Sequence, residues 1–282
     1  MSRCEYGRLI LLGAPLGNPG DASPRLKEAL SSADVIAAED TRRLKRLLGE
    51  IGVNSEASLV SYFEGNESAK TAGLVERLVG GEDVAVITDG GMPSVSDPGF
   101  RLVRAAIEAG VAITSVPGPS APTTALALSG LPSDRFSFEG FPPRKGGELR
   151  RTLDERKDDG RTAVYFESPR RVEATLVAMA EVFGADRPAA LCRELTKTYE
   201  EVRRGTLGEL LEGVRADAPR GEITLVVAGS TGPDASEATP ERLADEVAEL
   251  EGRGTPRKEA MKQVAKRYGL SKRDVYDALL DR

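Results

Sequence analysis

The sequence predicts an α/β protein of two sheet-bearing halves with a helical tail, on three observations. Short apolar runs alternate with amphipathic segments from Leu9 to Val116, and the alternation resumes from Phe136 to Ala228. Loops rich in Gly and Pro follow several of these runs directly. Beyond Thr239 only helical periodicity remains.

The first run, Leu9 to Leu12, is a strand opening into Gly13-Ala14-Pro15-Leu16-Gly17-Asn18-Pro19-Gly20. Ser23 before Pro24 has the form of an N-cap with proline at the first helical position, and Leu26, Ala29, Leu30 and Ala33 share one face. Val35 to Ala38 gives a second strand, and Leu44, Leu47 and Leu48 mark a second helix. Further strands fall at Leu59 to Tyr62, Val84 to Thr88 and Val111 to Val116. Short links between unbroken apolar runs imply a mainly parallel sheet covered by helices, whose ligands bind beyond the C-terminal ends of the strands.

Pro117-Gly118-Pro119-Ser120-Ala121-Pro122 interrupts this order, and a small-residue helix through Ala125 to Leu128 follows. The second half offers strands at Phe136 to Phe138, Ala163 to Phe166, Ala189 to Cys192 and Ile223 to Ala228, with a helix from Val172 to Phe183. Thr198 to Arg203 alternates like an extended strand, so this sheet is expected to be mixed or antiparallel. Ser230 to Pro240 has linker composition. Glu241 to Glu251, Lys258 to Tyr268 and Lys272 to Leu280 are helical in pattern, with Ser271 as an N-cap and Asp274 three residues on. The last two, around Gly269, resemble a helix-turn-helix. The expected division is 1–118, 119–230 and 231–282.

At 282 residues, 40% apolar and 30% charged, the chain has the size of about two domains of roughly 100 to 200 residues. No apolar stretch approaches a membrane span, and the N-terminal residues lack a signal core, so cytoplasmic residence is expected. Histidine is absent and there are two cysteines, Cys4 and Cys192. A Cys/His zinc site and a Ser-His-Asp or Cys-His nucleophile system are therefore excluded, and no metal is expected. Acid-base work falls to carboxylates, Lys, Tyr or water. The net charge of -6 argues against a uniformly basic surface but permits local basic patches.

The most informative segment is Thr88 to Gly99, which follows the run Val84 to Ile87 with five glycines and prolines among the eleven residues after Thr88 and two carboxylates, Asp89 and Asp97. Such a loop exposes backbone to a ligand. The first strand's turn fits neither a P-loop nor the dinucleotide GxGxxG spacing. Glu39-Asp40-Thr41-Arg42-Arg43 closes the second strand, and Glu167-Ser168-Pro169-Arg170-Arg171 occupies the matching position in the second half. Two such corners on one cleft would suit a polyanion. Arg42, Arg43, Lys45 and Arg46, Arg144 with Lys145, Arg150 with Arg151, and Arg203 with Arg204 add basic clusters able to meet phosphates.

Pro15-Leu16-Gly17-Asn18, Ala37 to Arg42, Asp89 to Pro93 with Ser96 to Gly99, Pro117 to Ala121, Gly140 to Lys145, Glu167-Ser168-Pro169 and Arg193 to Lys197 occur in that order. Together they resemble the small-subunit ribosomal RNA (cytidine-2'-O)-methyltransferases of the tetrapyrrole methylase superfamily, from about Leu9 to Gly229. The resemblance implies a tetrapyrrole methylase-like fold with S-adenosylmethionine held in a cleft between two α/β domains. It also implies a homodimer acting on the ribose 2'-hydroxyl of a cytidine in the decoding region of 16S rRNA, within the small ribosomal subunit.

Carried over by motif, the donor site comprises Leu16, Gly17, Asp89, Gly90, Met92, Pro93, Ser120, Ala121, Phe166 and Glu222. The sequence departs from the family pattern at Met92, where threonine is common, and at Arg170, where histidine is usual. Glu167, Asp97 and Glu39 are the candidate proton acceptors, and Arg42, Arg43, Arg144, Lys145 and Arg170 the candidate RNA contacts. Two alternatives share this fold: methylation of a corrin or porphyrin precursor, and a noncatalytic RNA-binding assembly protein.

Overall fold

The computed structural model describes residues 6–232 and 238–280. Its first sheet holds five parallel strands, β1 (Arg8–Leu12), β2 (Val35–Ala38), β3 (Ser58–Ser61), β4 (Val84–Ile87) and β5 (Ala112–Val116), in the order β3-β2-β4-β1-β5. All four residues of β2 and of β4 are buried because helices cover both faces, which is why these strands are unbroken apolar runs. The two-residue period divides their side chains. Ile10, Leu12, Ile36, Ala38, Ala85 and Ile87 pack with Leu26 and Leu30 of α1 (Pro24–Ser32) and Leu44 of α2 (Thr41–Ile51). Leu9, Val35, Ala37, Val84 and Val86 face Leu74 and Leu78 of α3 (Glu67–Val79) and Leu102 of α4 (Phe100–Glu108). Ser23 caps α1 as expected, its Oγ accepting the Leu26 amide at 3.1 Å.

The second sheet is mixed, in the order β6-β7-β10-β8-β9. It is built from β6 (Phe136–Gly140), β7 (Thr162–Glu167), β8 (Pro188–Arg193), β9 (Glu201–Thr206) and β10 (Ile223–Val227). β6 runs parallel to β7, whereas β10 is antiparallel to both β7 and β8, and β9 is antiparallel to β8. The final extended stretch begins at Glu201 rather than Thr198, since its register is set by pairing with β8. Tyr165, Leu191, Ile223 and Leu225 pack under α6 (Gly146–Asp154), α7 (Val172–Phe183) and α8 (Leu207–Ala216). On the other face Val164, Ala190, Cys192 and Val226 meet Ala125 and Leu126 of α5 (Ala121–Ser129).

The tail is a separate apolar cluster of α9 (Pro240–Gly252), α10 (Arg257–Arg267) and α11 (Lys272–Leu280), centred on Leu243, Val247, Val264, Tyr268 and Val275. Ser271 and Asp274 exchange backbone and side-chain hydrogen bonds at 2.8 and 3.2 Å, a reciprocal cap on α11. Charge is segregated along the tail. Glu241, Asp245, Glu246, Glu249 and Glu251 crowd α9, whereas Lys258, Lys262 and Lys266 recur every fourth residue along the exposed face of α10. The expected linker falls partly outside the described residues. No helix among the described residues is long and apolar enough to cross a membrane.

Candidate active site

The parallel strands of the first sheet all end on one side, so the segments leaving β1, β2, β4 and β5 come together there. β10 runs opposite to β7, and its first residue, Ile223, pairs with Glu167 at the end of β7. The second sheet therefore brings Phe166, Glu167, Glu222 and Ile223 to the same place. Between the halves lies a cleft of about 610 Å³, within the roughly 300 to 1,000 Å³ of small-molecule sites.

The cleft floor is bare backbone. Ala14 and Gly91 exchange amide bonds of 2.8 and 3.0 Å, joining the loops after β1 and β4. Gly13 and Gly118 touch so closely that a Cβ on either would lie 2.5 to 2.6 Å from the other's backbone. The loop after β4 is bent through positive φ at Ser94 (71°) and Ser96 (61°), a conformation that costs about 1 kcal/mol or more per residue and recurs at functional sites.

A buried carboxylate from outside the cleft holds this loop. Glu67, at the start of α3, accepts the amides of Gly99 at 2.9 Å and Arg101 at 3.2 Å, and the Tyr62 hydroxyl at 3.0 Å. The N-terminus of α4 has no side-chain cap of its own, so Glu67 satisfies it from another helix. Glu67 did not stand out in the sequence, because its contact with Gly99 joins positions distant in the chain.

Three carboxylates face the opening. Glu39 accepts the Asp89 amide at 3.1 Å, and burial raises its carboxyl above the ordinary range. Burial also raises Asp89, against the pull of Arg43 3.1 Å away. Asp97 is moved furthest: burial, reinforced by the negative charge of Glu39, pushes it up to about 7. The Thr88 hydroxyl lies within electrostatic reach of Asp97 yet makes no hydrogen bond of good geometry.

Leu16, Gly17, Asp89, Gly90, Met92, Ser120, Ala121, Phe166 and Glu222 all line the cleft, as do Glu39, Asp97 and Glu167. Pro93 does not; it is buried beneath the loop. Glu222 is tied by Lys197, whose Nζ lies 3.0 Å from both Glu222 and Glu194. The Lys197 methylenes cover Gly17, where any Cβ would collide with them. Lys197 therefore links the two halves across the cleft, a role the sequence did not announce.

Three of the expected site residues have partners within the protein. The Glu167 side chain is fully buried: one oxygen accepts the Ser168 amide at 2.7 Å and the other the Thr175 hydroxyl at 2.6 Å, with Arg171 3.5 Å away. Its lone pairs are committed inside the fold, so it is a structural acceptor and not a free base. Arg43 pairs with Asp89 at 3.1 Å at the rim of the cleft, its side chain still 61% exposed. Arg42 is 89% exposed but folds back on Asp40, the N-cap of α2, with bonds of 2.8 and 3.1 Å. Arg144, Lys145 and Arg170 remain exposed.

A family profile, Tetrapyrrole (Corrin/Porphyrin) Methylases, matches residues 8–211 of the chain. The chain belongs to this methylase family. It is 48% identical over 275 residues to "Ribosomal RNA small subunit methyltransferase I" of Mycobacterium tuberculosis, covering 97% of this chain and 95% of that one. A protein of the same name from Pseudomonas aeruginosa is 40% identical over 278 residues, covering 98% of each. Among solved structures, uroporphyrin-III-C-methyltransferase from Thermus thermophilus aligns with a TM-score of 0.54 at 24% identity, over 78% of this chain and 94% of that one. That likeness speaks to the methylase fold alone.

The cleft residues fit the methylase family's donor, S-adenosylmethionine. The unsatisfied Thr88 hydroxyl and the backbone floor offer polar groups to a nucleoside. Leu16, Met92, Ala121 and Phe166 offer apolar wall, and the carboxylates complement a cation. Among the described residues no cluster of metal-ligating side chains occurs.

Proposed function

We propose that this methylase transfers a methyl group from S-adenosylmethionine to the ribose 2'-hydroxyl of a cytidine in the decoding region of 16S rRNA, acting in the cytoplasm on the small ribosomal subunit. The observation that carries the reading is Asp97, a carboxylate raised to about 7 in the wall of an acidic cleft between the two sheets. The names of relatives aligned over nearly the whole chain supply the substrate class.

The donor supplies an electrophilic methyl carbon on a positively charged sulfur. Leu16, Gly17, Gly90, Met92, Ser120, Ala121 and Phe166 would enclose it, while Asp89, Glu39 and Glu222 would lend the wall negative charge. Pro93 stiffens the loop from beneath. Asp97 accepts the proton of the attacking hydroxyl, for which a pKa near the working pH is the favourable tuning. The remaining task is alignment of two bound reactants, which fixed walls perform without a covalent intermediate.

RNA is gripped outside the cleft. Arg144, Lys145 and Arg170 are exposed cations with no carboxylate bound to them among the described residues, and they suit phosphate oxygens. Phe100 and Ile107 lie seven residues apart on α4 and are 62% and 63% exposed, an apolar stripe suited to contact with a second copy in a homodimer. Replacing both by glutamate is expected to leave a monomer by sedimentation.

The test supplies labelled donor to small subunits from cells lacking the modification and maps nuclease-resistant ribose methylation. Label on a base, on a tetrapyrrole precursor instead of RNA, or nowhere overturns the proposal.

A further inference from the structure

β6 loses register against β7 between Phe138 and Gly140, and Gly140 then turns through a φ of +63°. This bulge aims the next side chain, Phe141, away from the sheet and into the cleft wall. Gly140 lies against the loop bearing Asp97, since a Cβ there would meet Ser96 Oγ at 3.5 Å.

Phe141 is 58% exposed, yet it is braced on both sides. Its ring centroid lies 5.5 Å from that of Phe166, which in turn sits edge-on to Phe138 at 4.9 Å. On the other side, the Arg171 guanidinium donates to the carbonyls of Pro142 and Pro143 at 2.9 and 3.0 Å, and Glu167 backs Arg171 at 3.5 Å. A lone exposed aromatic is ordinary on a protein surface. This one is the open end of a three-ring ladder, held beside the proton acceptor and followed by the exposed cations Arg144 and Lys145.

We propose that the Phe141 ring is a stacking platform for the nucleobase of the nucleotide whose ribose faces Asp97. The inference deepens the RNA reading above and rests on it. A ribose presented to Asp97 belongs to a nucleotide drawn away from its neighbours in the strand, whose base has lost its stacking partners. An aromatic face replaces them without regard to base identity. Phe141 therefore supplies grip and orientation, while Arg144 and Lys145 lie where the adjoining phosphates run.

The experiment compares the wild type with Phe141→Ala and Phe141→Trp on unmodified small subunits, with donor affinity measured by calorimetry and folding by circular dichroism. Phe141→Ala is expected to raise KM for subunits about 10- to 100-fold, the loss of one base-aromatic stack, with donor Kd within about twofold. Phe141→Trp restores most of the affinity. A short single-stranded RNA carrying 2-aminopurine reports stacking without methyl transfer, through quenching by the wild type that Phe141→Ala abolishes. An unchanged KM, or wild-type quenching that survives in Phe141→Ala or never occurs, overturns the proposal. Weakened donor binding in Phe141→Ala overturns it too, by assigning the ring to the donor. Failure of the wild type to methylate subunits would instead strike the function reading, with quenching still deciding the fate of the platform.

Discussion

The Arg43 guanidinium lies 3.1 Å from the Asp89 carboxylate, so one positive charge already partly neutralises the wall expected to receive a cationic donor. Removing it should deepen the negative potential of the cleft. An exposed pair of this kind is worth about 1 kcal/mol, and Arg43→Ala is expected to tighten donor binding about two- to fivefold. The salt dependence of RNA binding should stay as in the wild type. Calorimetry with the donor and salt titration with RNA check the two halves, and weaker donor binding would show that Arg43 holds the loop and does not compete for it.

Asp97 ties activity to pH. With its carboxyl at about 7, the rate under donor saturation should climb as pH rises through 7 and level off above it. Asp97→Asn should lower kcat by about 10²-fold or more while donor binding persists. The same shift affects stability with the opposite sign. The folded state holds a proton that the unfolded chain releases from pH 3.8 upward, so this stabilising contribution is complete in acid and disappears as pH rises through 7. Once discounted for partial solvation, the raised carboxyl costs about 1 to 2 kcal/mol at pH 8. Asp97→Asn should recover it in denaturant titrations, and identical pH profiles for both proteins would remove Asp97 from its role.

Glu67 is a positioning residue. Glu67→Ala strands the buried Gly99 amide and the Arg101 amide and leaves the Tyr62 hydroxyl only Thr71, and is expected to cost about 2 to 4 kcal/mol of stability. Glu67→Gln keeps an acceptor for the Gly99 amide and should restore most of that loss. At a temperature where both variants are folded, Glu67→Ala should still show a lower kcat, because the loop bearing Asp97 has lost its anchor. Equal kcat values would confine Glu67 to stability.

On α10, Lys258, Lys262 and Lys266 form an exposed stripe. Replacing all three by glutamine should reduce the slope of log affinity against log salt for RNA by about 2 to 3. A slope equal to that of the wild type would leave the stripe as solvated surface.

The strands of the first sheet are legible in the sequence because burial on both faces writes them as continuous apolar runs, as in Val84 to Ile87. α3 is not, since it contains Gly73 and buries only Leu74 and Leu78 beside Glu67. α4 lacks a local start signal altogether. α8 did carry one, the capping box of Thr206 and Glu209, whose reciprocal bonds are present at 2.8 and 3.2 Å. The cleft loops are visible through their Gly and Pro content, but the duty of each charge is not. Glu167 looks like a free acid until Thr175, in the first turn of α7, is seen to occupy it, and the order of residues does not announce that Arg43 pairs with Asp89.

The contact of Gly13 with Gly118 has a consequence for binding cost. Two loops locked main chain to main chain cannot sag or rearrange when a guest arrives, so that side of the pocket has its final shape in the empty enzyme. The entropy of ordering it is met during folding, and affinity for the guest is spared that penalty.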